Sequence, residues 1–350
     1  MEQGTYALGF LLIIVGGIME GTFALSLKYT PKWDWENTWG AGSLMALLLV
    51  PWPLAFLTVP NLMEVYTSSP SGSLWAALLF GAGWGAGGIF FGLGVSAVGL
   101  SLGLSLIMGL IAVGGSIVPL MMEHPEQLTR PAGLVLMGGI ATMILGLSIV
   151  AQAGRIKTSV IDSGARETTQ DAPPTVNTPF KVGLIFCVAA GLLSALVNFG
   201  LIYGARIADA AVQQGATSAN ANNAVWALVF TSNYLVNVLY CAYLTRRRRI
   251  FRKFSEEGTA PYWGTAIFMG LLWAGGIVVY GMGATRVGEF GAFLGFPIML
   301  ISSILAGNVA GILTGEWTGT PGRAKRIMTV GVIALVLAVF LLAYSNQLIS

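Results

Sequence analysis

The stretch Trp84-x-x-Gly87-x-x-x-Phe91-Gly92-x-Gly94-x-x-x-Val98-Gly99 returns later in the chain as Trp273-x-x-Gly276-x-x-x-Tyr280-Gly281-x-Gly283-x-x-x-Val287-Gly288. Each copy lies inside a long apolar run, and each run is the third of its half of the chain. A repeat of this kind in a strongly apolar protein is the signature of a transporter built from two related bundles. Composition points the same way. The 350 residues are 55% hydrophobic and only 9% charged, where a soluble protein usually carries about 25% charged residues. Packing in water cannot hide that much apolar surface, so lipid must be the solvent for much of it.

Ten apolar runs can be marked, at 5–27, 38–59, 73–97, 100–122, 131–152, 180–205, 223–245, 262–284, 290–314 and 327–346. A helix needs about 20 residues to cross the hydrocarbon, and all ten qualify. Residues 73–122 are nearly continuous, and their length requires a cut, placed at Gly99. The runs are too long for barrel strands and do not alternate. The expected fold is an all-α integral membrane protein with ten transmembrane helices.

Orientation follows from Lys and Arg. All eighteen lie in the odd-numbered loops except Arg130, Arg206 and Arg286. The positive-inside rule then places the odd loops in the cytoplasm and both termini in the periplasm of a bacterial-type inner membrane. Arg246 to Arg249 read as a stop-transfer anchor at anionic headgroups. Lys28, Trp33, Trp35 and Trp39 read as an interfacial anchor. The N-terminus has no Lys or Arg before its apolar run, which argues for a first membrane helix over a cleaved signal peptide.

The stretch from Arg155 to Pro179 is polar and reads as a flexible cytoplasmic linker. It divides the chain into a first five-helix repeat (1–152), a linker (153–179) and a second repeat (180–350). Five is odd, so the second half must enter the membrane in the opposite sense. The repeat is therefore an inverted five-plus-five one. Laid together, the halves set Gly9 and Gly17 opposite Gly183 and Gly191. Gly81, Gly85, Gly88 and Gly92 share one helix face, where small residues let membrane helices approach.

Several function classes drop out. The positive charge sits in short loops, so no nucleic-acid partner is indicated. Cys187 and Cys241 lie within apolar runs and read as packing residues, and His124 is the only histidine. No hydrolase triad, metal-ligand set, cofactor motif or phosphate loop is visible, so an enzyme is not expected.

Glu20 is the sharpest single position. It lies inside the first run, and no Asp or Glu occupies the middle of any other. A carboxylate in hydrocarbon costs about 2.5–3.5 kcal/mol on insertion scales, so it should face the bundle interior or a watery cavity. There it suits a coupling-ion site. The second feature is a polar stripe: Asn233, Asn237 and Tyr240 share one face of the seventh run. Ser194 and Asn198 do the same in the sixth, and Asn308 lies in the ninth. Such amides and hydroxyls, converging on one cavity, suit a neutral polyhydroxylated ligand. Trp84, Phe91, Trp273 and Tyr280 could supply aromatic faces for its ring. The competing reading of each is interhelical hydrogen bonding and aromatic packing.

At these residues the chain resembles the L-rhamnose–proton symporter family of the drug/metabolite transporter superfamily. The pieces are Lys32-Trp33-x-Trp35-Glu36-x-x-Trp39, Pro51-Trp52, Pro60-Asn61, Phe80-Gly81-x-x-Trp84-Gly85-x-Gly87 and Gly99-x-Ser101-x-Gly103. In the second half come Gly191-x-x-Ser194-Ala195-x-x-Asn198-Phe199, Asn237-x-x-Tyr240-Cys241 and Gly315-Glu316-Trp317. Each piece is soft alone, but together and in order they are specific. The resemblance implies cation-coupled uptake of a deoxy-sugar such as L-rhamnose. The reading that follows is a secondary transporter working by alternating access. Glu20 would bind a proton or sodium ion, and the polar and aromatic residues would bind sugar. The alternatives are a proton-coupled exporter of small organic cations or metabolites and a non-transporting membrane sugar sensor.

Overall fold

The structure, a computed structural model, describes residues 2–98, 100–123, 125–164, 179–288, 291–315 and 317–348. Its helices are α1 (Glu2–Thr22), α2 (Trp35–Leu44), α3 (Pro51–Thr58), α4 (Leu62–Ser68), α5 (Ser71–Val98), α6 (Leu100–Ala112) and α7 (Val118–Glu123). They continue as α8 (Pro131–Gly164), α9 (Phe180–Tyr203), α10 (Ala205–Gln213), α11 (Asn222–Arg248), α12 (Ala260–Val287), α13 (Gly291–Leu313) and α14 (Gly322–Gln347). There is no strand among the described residues. Nine helical stretches among them are long and apolar enough to span a membrane. The stretch at Leu106–Met122 is apolar but shorter. The sequence reading placed a full span at 100–122, with its cut at Gly99, which lies outside the described residues. His124 and Glu289 lie outside them too.

Two of the apolar runs contain a π turn. Between α2 and α3 the chain makes a π turn at Met45–Leu49, and between α6 and α7 another at Val113–Ile117. The Val50 N–H reaches the Met45 carbonyl, 2.9 Å away and five residues back. Pro51 and Pro119 stand two residues beyond the end of each turn. Proline has no N–H and crowds the carbonyl four residues before it; widening the helix by one residue relieves both problems. α8 also runs on to Gly164, into the stretch read from sequence as linker; residues 165–178 lie outside the described set.

The chain divides into two compact units, Met1–Ala86 with Leu196–Ala306, and Gly87–Ala195 with Gly307–Ser350. Each draws helices from both halves of the sequence. In the first unit α1 runs antiparallel to α12 through facing glycines. Gly9 meets Gly283, and Gly16 meets Gly276, where an added Cβ would stand 2.8 Å from the Gly16 carbonyl oxygen. Gly17 and Gly21 turn to α13, packing on Ser302 and Ser303. No larger side chain fits between these backbones, so the glycines are what allows α1 to lie against both helices.

α11 is the buried axis of the first unit. The Trp52 indole donates to Thr231 Oγ1 at 2.8 Å, and Tyr66 Oη donates to the Ala224 carbonyl at 2.9 Å. Its C-terminal end is bolted to the start of α2. Arg248 pairs with Glu36 at 2.7 Å, and Lys253 with Asp34 at 2.7 Å. Trp33 is buried, donates to the Lys253 carbonyl at 2.8 Å and packs edge-on against Phe254, Tyr262 and Trp263. Trp33 is therefore a packing residue, not an interfacial anchor, whereas Trp35 is exposed. Arg248 likewise has a partner more specific than headgroups.

In the second unit α8 and α14 run antiparallel, Gly139 against Leu342 and Gly146 against Leu335. Ser345 donates to the Ala132 carbonyl at 2.7 Å, and Ala153, Trp317, Ala324 and Met328 close the other end. α5 meets α9 in the same unit through Gly87 on Ser194 and Gly94 on Cys187. Cys187 and Cys241 are both free and buried, as packing residues should be.

Candidate functional site

The site residues begin with one face of α11. Trp226, Phe230, Asn233 and Asn237 follow one another at spacings of four, three and four, and so line a single stripe. All four are buried. Asn233 meets the backbone of α5 at Gly85, where an added Cβ would stand 2.9 Å from the Asn233 carbonyl. That close approach brings the neighbouring Trp84 over the stripe. Trp84 stacks on Trp273 of α12 at 5.3 Å and 23°, and both rings lean on Phe230, at 5.9 and 5.7 Å.

Trp39 of α2 joins the aromatic group to the amides. Its ring stands edge-on to Trp273 at 6.4 Å and stacks on Trp35 at 6.0 Å. Its indole Nε1–H donates to Asn237 Oδ1 at 2.9 Å. Asn237 Nδ2 in turn donates to the Asn233 carbonyl at 3.0 Å and to Asn233 Oδ1 at 2.7 Å. The result is a tryptophan-walled patch with a fixed amide pair in it. Flat apolar faces beside convergent polar groups are what a sugar ring requires.

Glu20 borders this patch. An added Cβ on Gly276 would stand 3.1 Å from Glu20 Cγ, and Gly276 is one turn of α12 beyond Trp273. Phe23, three residues after Glu20, packs on Trp39 at 6.2 Å. Glu20 Oε1 is fully buried and has no hydrogen-bond partner among the described residues. A buried carboxylate oxygen without a donor is costly when ionised, and a bound proton or cation removes that cost.

The other sequence candidates fall elsewhere. Tyr280 is fully buried among helix backbones, with its ring on Phe296 at 6.2 Å and its main chain against Gly16. Asn198 is buried on α9, beside Phe199, whose ring packs on Phe80. Phe91, Ser194 and Asn308 belong to the second unit, where buried Ser194 packs on Gly87. A groove of about 400 Å³ opens at the turn between α3 and α4, lined by Phe56 and residues 59–64. It borders none of the candidates. The candidate patch also takes in Trp39, Phe230 and Trp226, which the sequence reading does not single out for it, although the α11 spacing of Asn237 runs through two of them.

Comparison with known proteins fits this arrangement to a family. Residues 2–346 match the family model described as L-rhamnose-proton symport protein (RhaT). An L-rhamnose-proton symporter of Yersinia pestis (strain Pestoides F) is 25% identical over 338 residues, covering 95% of each chain. One of Yersinia pseudotuberculosis serotype O:3 (strain YPIII) matches to the same extent. These relatives are proton symporters by name, transporters and not enzymes, and the match runs over nearly the whole length. The chain therefore belongs to the L-rhamnose-proton symport protein family.

Proposed function

We propose that the chain takes up L-rhamnose, or a close deoxy-sugar, together with protons by alternating access, as a ten-span inverted repeat. The observation that carries the functional part is the position of Glu20. The one carboxyl inside the first run, its Oε1 unpartnered, lies beside a tryptophan-and-amide patch suited to a sugar. An ion site and a sugar site that share helices α1 and α12 can favour the same conformational state, which is the condition for coupling.

The repeat has its own support in the packing. A shift of 189 residues carries Gly87 to Gly276 and Gly94 to Gly283, and a shift of 174 carries Glu20 to Ser194 and Ile13 to Cys187. Gly276 packs on Glu20 as Gly87 packs on Ser194, and Gly283 packs on Ile13 as Gly94 packs on Cys187. The same shifts relate Gly17 on Met299 to Gly191 on Leu110, and Gly21 on Ser303 to Gly114 on Ala195. Contact directions agree with ten alternating crossings. α1 and α12 are antiparallel, as first and eighth spans must be; α5 and α11 run parallel, as third and seventh must. Ser194 is on this reading the counterpart of Glu20 in the second repeat. It joins Asn198, Asn308, Phe91 and Tyr280 as residues proposed to bind sugar or gate access to it in other states of the cycle.

Labelled L-rhamnose in proteoliposomes tests the reading. Uptake should exceed equilibrium when an inward proton gradient is imposed and fall to equilibration without one. Accumulation driven by sodium alone would replace the proton in this account. Neither export of organic cations nor sensing without transport has an observation in its favour. Orientation is a separate prediction. The Lys/Arg distribution places both termini outside, so alkaline phosphatase fused after Ser350 should be active and a fluorescent protein that matures only in the cytoplasm should be dark. The opposite pattern would invert the orientation.

A further inference from the structure

Indole nitrogen is a donor only, whereas an amide side chain has one donor end and one acceptor end. The group facing Trp39 Nε1 must therefore be the oxygen of Asn237, at 2.9 Å. That choice turns the Asn237 NH2 toward Asn233, where both its hydrogens are used, on the Asn233 carbonyl and on Asn233 Oδ1. It then follows that Asn233 must present its oxygen inward and its NH2 away from Asn237. Among the described residues Asn233 Nδ2 has no hydrogen-bond partner. Asn237 Oδ1 has used one of its two lone pairs.

We propose that Asn233 and Asn237 act as one oriented pair, with Asn233 Nδ2 donating to one hydroxyl of the sugar and Asn237 Oδ1 accepting from another, and with Trp39 as the positioning residue that sets this polarity. The inference rests on the sugar-transport reading above and adds to it a donor residue, Asn233, and a direction for each hydrogen bond. The two ends of the pair lie about one helical turn apart, on the order of 5–6 Å, a span that two hydroxyls of one pyranose ring can bridge. The walls are already in place: Asn233 sits one turn from Phe230, and Trp84 and Trp273 stack beside it. Without the Trp39 N–H, the Asn237 amide would be free to turn over, and the pair could offer either polarity.

Two measurements on the purified full-length protein test this. The first uses no sugar. In protein labelled with 15N at the tryptophan indoles, the Trp39 resonance is assigned by its loss in Trp39→Phe. It should shift and exchange faster with solvent in Asn237→Leu. The second compares binding of L-rhamnose with its singly deoxygenated and singly fluorinated analogues. Fluorine accepts weakly but cannot donate. In the wild type one ring position should lose about 3- to 10-fold in affinity on fluorination, that of one neutral hydrogen bond, and this loss should vanish in Asn237→Leu. A second position should tolerate fluorine better than hydrogen, and that difference should vanish in Asn233→Leu. Trp39→Phe keeps the ring packing, and should flatten both preferences while still binding sugar. Wild-type analogue preferences in Trp39→Phe, with the sugar bound normally, would overturn the polarity proposal and leave the transport reading standing. An intact Trp39–Asn237 signal in a protein that binds no L-rhamnose would overturn both.

Discussion

Glu20→Gln should abolish gradient-driven accumulation of L-rhamnose while leaving sugar exchange across the membrane measurable. Glutamine keeps the shape of the side chain and stays neutral, so the variant resembles the protonated carrier. It folds without the cost of an ionised, unpartnered Oε1 beside Gly276. What it cannot do is release and rebind a proton. Counterflow of labelled sugar against unlabelled sugar needs only the loaded carrier to reorient, so it survives. Net accumulation needs the empty, deprotonated carrier to return, so concentration ratios should fall to about one. Accumulation at the wild-type ratio in Glu20→Gln would make this carboxyl structural and move coupling elsewhere.

The second large effect concerns the bolt between α2 and α11. The Glu36 side chain is only 3% exposed, and Arg248 is its ion-pair partner at 2.7 Å. Neighbouring arginines are not placed to replace it: Arg247 donates to Tyr243 Oη at 3.3 Å, and Arg249 takes the left-handed turn that ends α11. Arg248→Met therefore leaves a buried carboxylate without its cation, which costs about 3–5 kcal/mol in such settings. Arg248 is itself about one-third exposed, so the lower end is expected here. Thermal unfolding in detergent should show a clear drop for Arg248→Met. Adding Glu36→Leu to it should recover most of the loss, because the pair is then replaced by apolar packing. Equal, additive losses for the two substitutions would show that the ions do not depend on each other.

Much of this was legible in the sequence, for identifiable reasons. The helical runs were, because hydrocarbon imposes about 20 apolar residues per crossing. The repeated motif was, because Gly87 and Gly94 recur as Gly276 and Gly283, and all four are small where helices touch. Glu20 stood out because a charge in lipid needs a reason. The π turns did not, although Pro51 and Pro119 mark both, since a proline in an apolar run also fits a plain kink. Trp39 and Trp33 looked like headgroup anchors because tryptophan near a helix end usually is one. Their partners, Asn237 and the Lys253 carbonyl, are about 200 residues away in the chain, and no local pattern reports such a distance. Tyr280 shows what the repeat alone leaves open: its position matches that of Phe91, and its buried ring packs on Phe296.

The central claim is that sugar and proton cross together. It is tested most directly with wild-type protein in proteoliposomes that enclose a pH-sensitive dye, with no gradient imposed at the start. Adding L-rhamnose outside should acidify the interior as the sugar enters, and a sugar that is not taken up should leave the dye signal flat. Entry of labelled L-rhamnose with no change in internal pH would contradict the account.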